Sequence, residues 1–242
     1  EPTVNRFCRS LETRGFPDFK LHLAQSLAHG TLYVNRNVDE DDSVESYTGK
    51  IFESAMASLD QVHHSLDMSA VNRAVDLLTQ AKKIAFFGLG SSAAVAHDAM
   101  NKFFRFNVPV IYSDDIVLQR MSCMNCDDDD VVVIISHTGR TKSLVELAQL
   151  ARENDAMVIA LTSAGTPLAR EATLAITLDV PEDTDIYMPM VSRLAQLTVI
   201  DVLATGFTLR RGAKFRDNLK RVKEALKESR FDKEPFVPSD NQ

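Results

Sequence analysis

The chain has 242 residues, of which 45% are apolar and 25% charged, which argues against a disordered protein and suits one sizeable α/β domain with a smaller companion. Its net charge of −7 argues against bulk nucleic-acid binding by most of the chain, because phosphate contacts need dense positive charge. No apolar run reaches the length of a membrane helix, and three cysteines without a signal peptide fit a reducing cytoplasm.

The charge is unevenly distributed along the chain. Residues 31–209 carry 13 Lys and Arg against 25 Asp and Glu, whereas residues 210–230 carry nine against three. The basic segment is open to two interpretations. It contacts DNA or the acidic face of a partner, or it is a solvated helix end, where cations are favourable.

The first 28 residues predict two short helices, separated at Gly15-Phe16-Pro17. In the first helix an apolar stripe is formed by Val4, Phe7, Cys8 and Leu11. The opposite side carries polar residues placed as in a DNA-recognition helix, namely Thr3, Asn5, Arg6 and Arg9. An ordinary amphipathic helix with exposed arginines has the same pattern. Residues 29–45, which include four consecutive acids, are interpreted as a polar linker.

From residue 46 the pattern changes to that of an α/β domain, which we expect to end at residue 230 and to leave residues 231–242 as a tail. Two helices are predicted first, at 46–66 and 69–81, and apolar strands then alternate with helices. The strands are expected near 83–88, 108–112, 131–136, 157–162 and 173–178, and the helices between them near 91–106, 115–125, 141–153 and 166–171. A long helix at 189–210 and a basic one at 213–229 follow.

Continuous apolar strands joined by helices predict a parallel sheet covered on both faces, which is a three-layer αβα fold. Five such strands commonly take the flavodoxin-like order 2-1-3-4-5, and the ligand crevice then lies between the first and third strands. Two turns rich in glycine and hydroxyl groups follow these strands: Gly88-Leu89-Gly90-Ser91-Ser92 and Ser136-His137-Thr138-Gly139-Arg140-Thr141. The topology therefore predicts that both turns face one ligand.

Each turn leads from a strand into a helix, where backbone N–H groups and the helix dipole favour an anion. Gly88 and Gly90 let the backbone approach a ligand closely, and Gly139 allows the neighbouring hydroxyl groups to converge. These features suit a phosphoester that binds reversibly. A nucleotide ligand is disfavoured. The first turn lacks the third glycine of the dinucleotide-binding pattern, and no Walker lysine follows it. In the alternative interpretation the Ser and Thr residues only cap two helices.

The two turns resemble those of the sugar isomerase (SIS) domain, a phosphosugar-binding module with the fold predicted above. Gly-x-Gly-Ser-Ser is followed about 45 residues later by Ser-x-[Ser/Thr]-Gly-x-Thr, with Thr138 where many members have serine. The resemblance covers about residues 46–230. It implies a phosphosugar site formed by Ser91, Ser92, Ser136, His137, Thr138, Gly139 and Thr141.

The N-terminal residues resemble the end of the helix-turn-helix domain of RpiR-type transcriptional regulators. Stretches such as Phe104-Arg105-Phe106-Asn107 and Pro181-Glu182-Asp183-Thr184-Asp185 are most similar to the member that regulates glucose catabolism in proteobacteria. The resemblance implies a cytoplasmic homodimer or tetramer, mainly a repressor, which 2-keto-3-deoxy-6-phosphogluconate releases from operator DNA. Thr3, Asn5, Arg6 and Arg9 would contact that DNA. We expect the chain to be truncated within this domain and unable to bind its operator specifically by itself.

A phosphosugar isomerase is the alternative function, since some SIS domains are catalytic. Isomerisation needs a base at the sugar carbon, and the candidates are His97, His137 and Glu182. None of them stands in a pattern typical of catalysis. We therefore expect no enzyme activity, no catalytic residue, no cofactor and no metal. Lys102, Arg140 or Lys142 could supply positive charge to an anionic sugar acid.

Cys123 and Cys126 have the spacing of a redox or metal motif, but they offer only two ligands and precede the acidic run Asp127–Asp130. Nearby negative charge raises the pKa of a thiol and lowers its reactivity. We expect unreactive cysteines and a solvated acidic turn before the third strand.

Overall fold

The structure is a computed structural model and describes Phe16, residues 37–182, Thr184 and residues 188–227. It divides into two compact units, one comprising residues 1–66 and 178–196, and the other residues 67–177 and 197–242. The predicted recognition-helix residues and the predicted tail lie outside the described residues.

The described part of the first unit is built around helix α1, Val44–Ser65, which begins inside the segment predicted as a linker. The Ser43 hydroxyl caps this helix by accepting a hydrogen bond from the Ser46 N–H at 3.2 Å. Two acids of the predicted linker form ion pairs with Lys50, whose Nζ lies 2.9 Å from Asp39 and 2.7 Å from Asp42. The hydrogen bond from Lys50 lowers the pKa of the Asp42 carboxyl to about 2.

The same unit contains a helix cap supplied by a carboxylate eight to ten residues earlier in the chain. Glu182 accepts hydrogen bonds from the backbone N–H groups of Met190 and Val191, both at 2.7 Å, and of Ser192 at 3.2 Å, and from the Ser192 hydroxyl. These groups open helix α7, Val191–Arg210. Burial alone would raise the pKa of Glu182, but the hydrogen bonds outweigh it and the pKa is lowered.

The second unit is an α/β domain whose elements follow the predicted order. They are α2 Met68–Gln80, β1 Lys83–Gly88, α3 Ser91–Phe103, a 3₁₀ turn at Phe104–Phe106, β2 Val110–Ser113, α4 Ile116–Met124, β3 Asp130–Ile135, α5 Lys142–Glu153, β4 Met157–Thr162, α6 Pro167–Glu171 and β5 Leu174–Thr177. The last fourteen residues of α7 and helix α8, Gly212–Lys227, complete it. The strands are parallel and lie in the order β2-β1-β3-β4-β5, which confirms the predicted topology.

Apolar side chains on both faces of the sheet explain why these strands form its centre. On one face Phe87 and Ile134 belong to a buried cluster that includes Leu144 and Leu147 of α5. On the other face, Phe86 contacts Phe103 of α3 with a ring-centroid distance of 5.1 Å. Strands buried on both sides are continuously apolar, because neither set of alternating side chains faces water.

The acidic run before β3 differs in part from the prediction. Asp127, Asp128 and Asp129 are exposed, as expected of a solvated turn. Asp130 instead begins β3, is 3% exposed, and forms an ion pair with Lys83 of β1 at 2.6 Å. A buried carboxylate needs such a partner, since desolvation without one is costly. None of the helices in the described ranges is long and apolar enough to cross a membrane.

Candidate phosphosugar site

The two predicted turns follow neighbouring strands at the carboxyl edge of the sheet. Gly88, the last residue of β1, is the register partner of Ile135, the last residue of β3. The residues that follow each of them therefore start side by side. The Ser136 N–H donates to the Leu161 carbonyl at 3.0 Å, which ties the second turn to β4 as well. The fold thus brings the two turns together at one position.

The first turn depends on two glycines. A Cβ atom on Gly88 would lie 2.6 Å from the Ser92 carbonyl oxygen, so the chain can wind back this closely only without a side chain. Gly90 has φ +56° and ψ −128°, a region that is essentially restricted to glycine. Beyond it, Ser91 is half-buried and Ser92 is buried in the first turn of α3.

The second turn is held by its own side chains. The buried Ser136 hydroxyl accepts a hydrogen bond from the Gly139 N–H at 3.2 Å, and the Thr138 hydroxyl accepts one from the Arg140 N–H at 3.4 Å. Gly139 has φ +57°. The His137 carbonyl accepts hydrogen bonds from both the N–H and the hydroxyl of Ser163, so the backbone of this turn is fixed at several points.

The helices that leave these turns lack the side-chain caps found elsewhere in the described chain. Helices α1, α2, α4 and α6 are each capped by a side-chain oxygen, from Ser43, Asp67, Asp115 and Thr166 respectively. The N-cap residues of α3 and α5, Gly90 and Thr141, make no such bond. The interpretation that these Ser and Thr residues merely cap two helices therefore does not fit. The positive ends of both helices are left without an oxygen from a capping side chain.

The residues predicted for the site differ in exposure. Ser92, Ser136 and Gly139 are buried, Ser91, His137 and Thr138 are half-buried, and Thr141 is exposed. Of the cations suggested as partners of a sugar acid, Arg140 is exposed within the second turn and Lys142 is exposed directly after it. Lys102 is not at the site. It lies in the last turn of α3, about 16 Å from the helix start at 1.5 Å per residue, and forms ion pairs with Asp98 and Asp201.

The proposed isomerase bases are engaged elsewhere or poorly placed for that role. His97 is exposed on α3, with its ring 4.9 Å from that of Tyr112. Glu182 is occupied as the cap of α7. His137 lies within the second turn, so of the three candidates only His137 is part of the two turns.

The structure adds one buried polar residue that sequence reasoning missed. Gln119 of α4 is fully buried, and its side-chain Nε2 donates to the Gly88 carbonyl at 3.2 Å and to the Ser113 carbonyl at 2.7 Å. No local pattern marks this glutamine, because the contact with Gly88 spans 31 residues.

Cys123 and Cys126 are free thiols. Burial raises the pKa of Cys123 to about 12 and is also the main cause of the raised pKa of Cys126. Both residues lie in or against the apolar cluster below α5. They are therefore packing residues, and their thiols stay protonated near neutral pH.

Comparison with known proteins agrees with the sequence and the geometry. Residues 77–206 match the family model of the SIS domain, and residues 1–30 match that of the helix-turn-helix domain of the rpiR family. The chain is 91% identical to the HTH-type transcriptional regulator HexR of Escherichia coli K12 over 242 residues, which are all of this chain and 84% of that protein. The chain belongs to the RpiR-type transcriptional regulators.

A second relative and one solved structure agree with this assignment. HexR of Pseudomonas aeruginosa PAO1 is 57% identical over 231 residues, covering 96% of this chain and 81% of that protein. The family member that the sequence was predicted to resemble most is HexR, and that resemblance is confirmed. Among solved structures, the Vibrio vulnificus NanR protein complexed with ManNAc-6P is similar with a TM-score of 0.72 and 25% identity, over 95% of this chain and 81% of that one.

Proposed function

We propose that this chain is a regulator of sugar catabolism, mainly a repressor, whose SIS domain binds a phosphorylated sugar acid, 2-keto-3-deoxy-6-phosphogluconate. The phosphate lies between the two turns and is bound by Ser91, Ser92, Ser136, Thr138 and Thr141, with His137 and Gly139 completing the second turn. In the intact protein, a cytoplasmic homodimer or tetramer, the operator is contacted by Thr3, Asn5, Arg6 and Arg9.

One observation carries this proposal: two helices without side-chain caps begin at neighbouring strand ends. A phosphate at that point accepts hydrogen bonds from both sets of N–H groups and interacts with both helix dipoles. The hydroxyl groups of the turns supply further donors, and the NanR structure is a complex with a phosphorylated sugar. The four capped helices offer no comparable opening, because a side-chain oxygen already occupies each N-terminus.

Release from DNA follows from the position of the ligand between separate elements. A phosphate that bonds to both turns favours the conformations in which α3 and α5 are drawn together, and so it shifts the population toward them. In an oligomer, a change in how these helices pack alters the spacing of the two recognition helices, which then no longer match the operator half-sites.

Isothermal titration calorimetry of the chain with three ligands tests the site. We predict micromolar binding of 2-keto-3-deoxy-6-phosphogluconate, and weaker binding of 6-phosphogluconate and fructose 6-phosphate. The variant Ser136→Ala should lose affinity by at least about tenfold, because a buried hydroxyl that orders the turn is removed.

The matched control is Thr205→Val, which removes an exposed hydroxyl bonded only within helix α7 of the same unit. It should bind as the unmodified chain does. Equal affinity of Ser136→Ala and the unmodified chain would contradict the proposed site. Turnover of fructose 6-phosphate, followed by a coupled product assay in the same samples, would favour the isomerase instead, with His137 as the first candidate for its base.

A further inference from the structure

The end of strand β1 is held by the side chain of Gln119. This residue is fully buried on α4, and both carbonyls to which its Nε2 donates lie at the ends of strands, Gly88 of β1 and Ser113 of β2. A terminal amide has two N–H donors, so both are used. The orientation follows from the chemistry, because the opposite one would place the amide oxygen against two carbonyl oxygens.

The remaining atom of this amide is costly to bury. Gln119 Oε1 is buried and has no hydrogen-bond partner in the described structure. An apolar side chain of similar volume would avoid that cost, so the favourable contribution of Gln119 comes from its two donors. The role of Gln119 in the fold is therefore to hold the two carbonyls in place.

The Gly88 carbonyl belongs to the peptide unit that starts the first turn. In a planar trans peptide the carbonyl of Gly88 and the N–H of Leu89 point in opposite directions. The hydrogen bond from Gln119 of α4 fixes the Gly88 carbonyl. It therefore also fixes the direction of the Leu89 N–H, and with it the start of the Gly90-Ser91-Ser92 segment. The Leu89 side chain packs against the buried cluster that includes Ala85 and Phe87, so this peptide is anchored through both its polar and its apolar parts.

Helix α4 is itself firmly connected to the end of β2, and so it can serve as an anchor. Asp115 caps the helix by accepting hydrogen bonds from the N–H groups of Val117 and Leu118 at 2.8 and 2.9 Å. The Asp115 N–H donates to the Ser113 hydroxyl at 3.1 Å. The Cys123 side chain, one turn beyond Gln119, is fully buried in the cluster under the sheet.

We infer that Gln119 is a positioning residue of the phosphosugar site, which holds the first turn in its binding conformation by clamping the Gly88 carbonyl. This inference rests on the proposed function for its ligand. It adds a residue outside the two turns to those that determine affinity. It also makes α4 a second connection between the first turn and β2, beside the direct pairing of β1 with β2.

The test combines ligand affinity with a measurement on the ligand-free protein. Gln119→Met keeps the length of the side chain but removes both donors, and Gln119→Glu keeps the shape while replacing donors with acceptors. We expect both to weaken calorimetric binding of 2-keto-3-deoxy-6-phosphogluconate by about tenfold or more. In the absence of ligand, the backbone amide resonances of Leu89, Gly90 and Ser91 should shift in both variants.

The control is Cys123→Ala, which removes a fully buried side chain from the same helix without touching either carbonyl. Because Cys123 belongs to the cluster on which Leu89 packs, the Leu89 resonance can move, but the affinity and the Gly90 and Ser91 resonances should stay nearly unchanged while the melting temperature falls. Unchanged affinity in both Gln119 variants, or an equal loss in Cys123→Ala, would overturn the inference. If the unmodified chain binds none of the three phosphosugars, the proposed function fails, and the amide resonances alone decide: selective shifts support the clamp, and unchanged resonances refute it.

Discussion

At the scale of single residues, the second turn depends most on Gly139, where two requirements for glycine coincide. Its φ of +57° is unfavourable for other residues, and an added Cβ would overlap the Thr166 hydroxyl and lie 2.5 Å from the Thr162 hydroxyl. Gly165 requires glycine only for its backbone conformation: its φ is +68°, and no atom lies within 4 Å of an added Cβ. The two positions therefore separate backbone strain from steric overlap.

We predict that Gly139→Ala destabilises the chain by about 3 kcal/mol or more, because overpacking adds to the backbone cost. Gly165→Ala should cost about 1–2 kcal/mol from the left-handed backbone alone. The free energies of unfolding from urea titrations of both variants check this. Equal losses of unfolding free energy in the two variants would show that Thr162 and Thr166 move away from the added methyl group without a measurable energetic cost.

At the scale of elements, the start of α7 depends on one carboxylate. Glu182 accepts the hydrogen bonds of three consecutive N–H groups, and its pKa is lowered by them against the opposing effect of burial. A lowered pKa in the folded state means that the stabilisation is complete above the pKa of the unfolded state. It is lost as the pH falls through the lower value of the folded state.

We predict that Glu182→Gln lowers the free energy of unfolding by about 1 kcal/mol at pH 7, the usual cost of a lost helix cap. The difference from the unmodified chain should shrink as the pH falls below 4.5, because the carboxyl then becomes protonated in both states. Urea titrations across this range measure it. Glu53→Gln, which changes an exposed glutamate on α1, serves as the control, and a pH-independent difference for Glu182→Gln would contradict the charged cap.

The elements also show which features the sequence can predict. Strand β1 and strand β4 were predicted with their observed bounds, because a buried parallel strand is a continuous apolar run with a turn at each end. The second strand begins at Val110 rather than near residue 108, since Pro109 has no N–H to donate. The helix predicted to residue 106 ends at Phe103 and continues as a 3₁₀ turn before Asn107, which has φ +51°.

The contacts of Glu182 and Gln119 could not be predicted. Glu182 and Gln119 act on groups 6 to 31 residues away, and nothing in their own sequence neighbourhood distinguishes them from solvated side chains. The turns were predictable because their glycines and hydroxyl residues are contiguous in sequence. The contacts from outside the turns, from Gln119 to Gly88 and from Ser163 to His137, come from other parts of the chain, and only the fold brings them together.

At the scale of the whole molecule, the proposed regulator separates DNA contact from ligand contact. Arg6 and Arg9 lie outside the described residues, and we propose that they contact the operator. In a chain with the complete helix-turn-helix domain, Arg6→Ala and Arg9→Ala should each weaken operator binding by about 1–3 kcal/mol if they contact bases.

Fluorescence anisotropy with a labelled operator measures this effect. In the two arginine variants, the concentration of sugar acid that half-releases the DNA should stay within twofold of that for the unmodified protein. Ser136→Ala should instead bind the operator normally and need more sugar acid for release. An arginine variant with normal DNA affinity would remove these residues from the proposed contact surface.

The absence of side-chain caps on α3 and α5 also has a consequence for how long the protein persists in a cell. Under the proposed function, the ligand supplies the oxygen atoms that other helices obtain from their own sequence. A ligand that binds only the folded state adds about 2.7 kcal/mol of stability at a hundred times its dissociation constant. Proteases that act on unfolded chains would then degrade the empty regulator faster than the loaded one, so that the metabolite would set the abundance of its sensor as well as its activity.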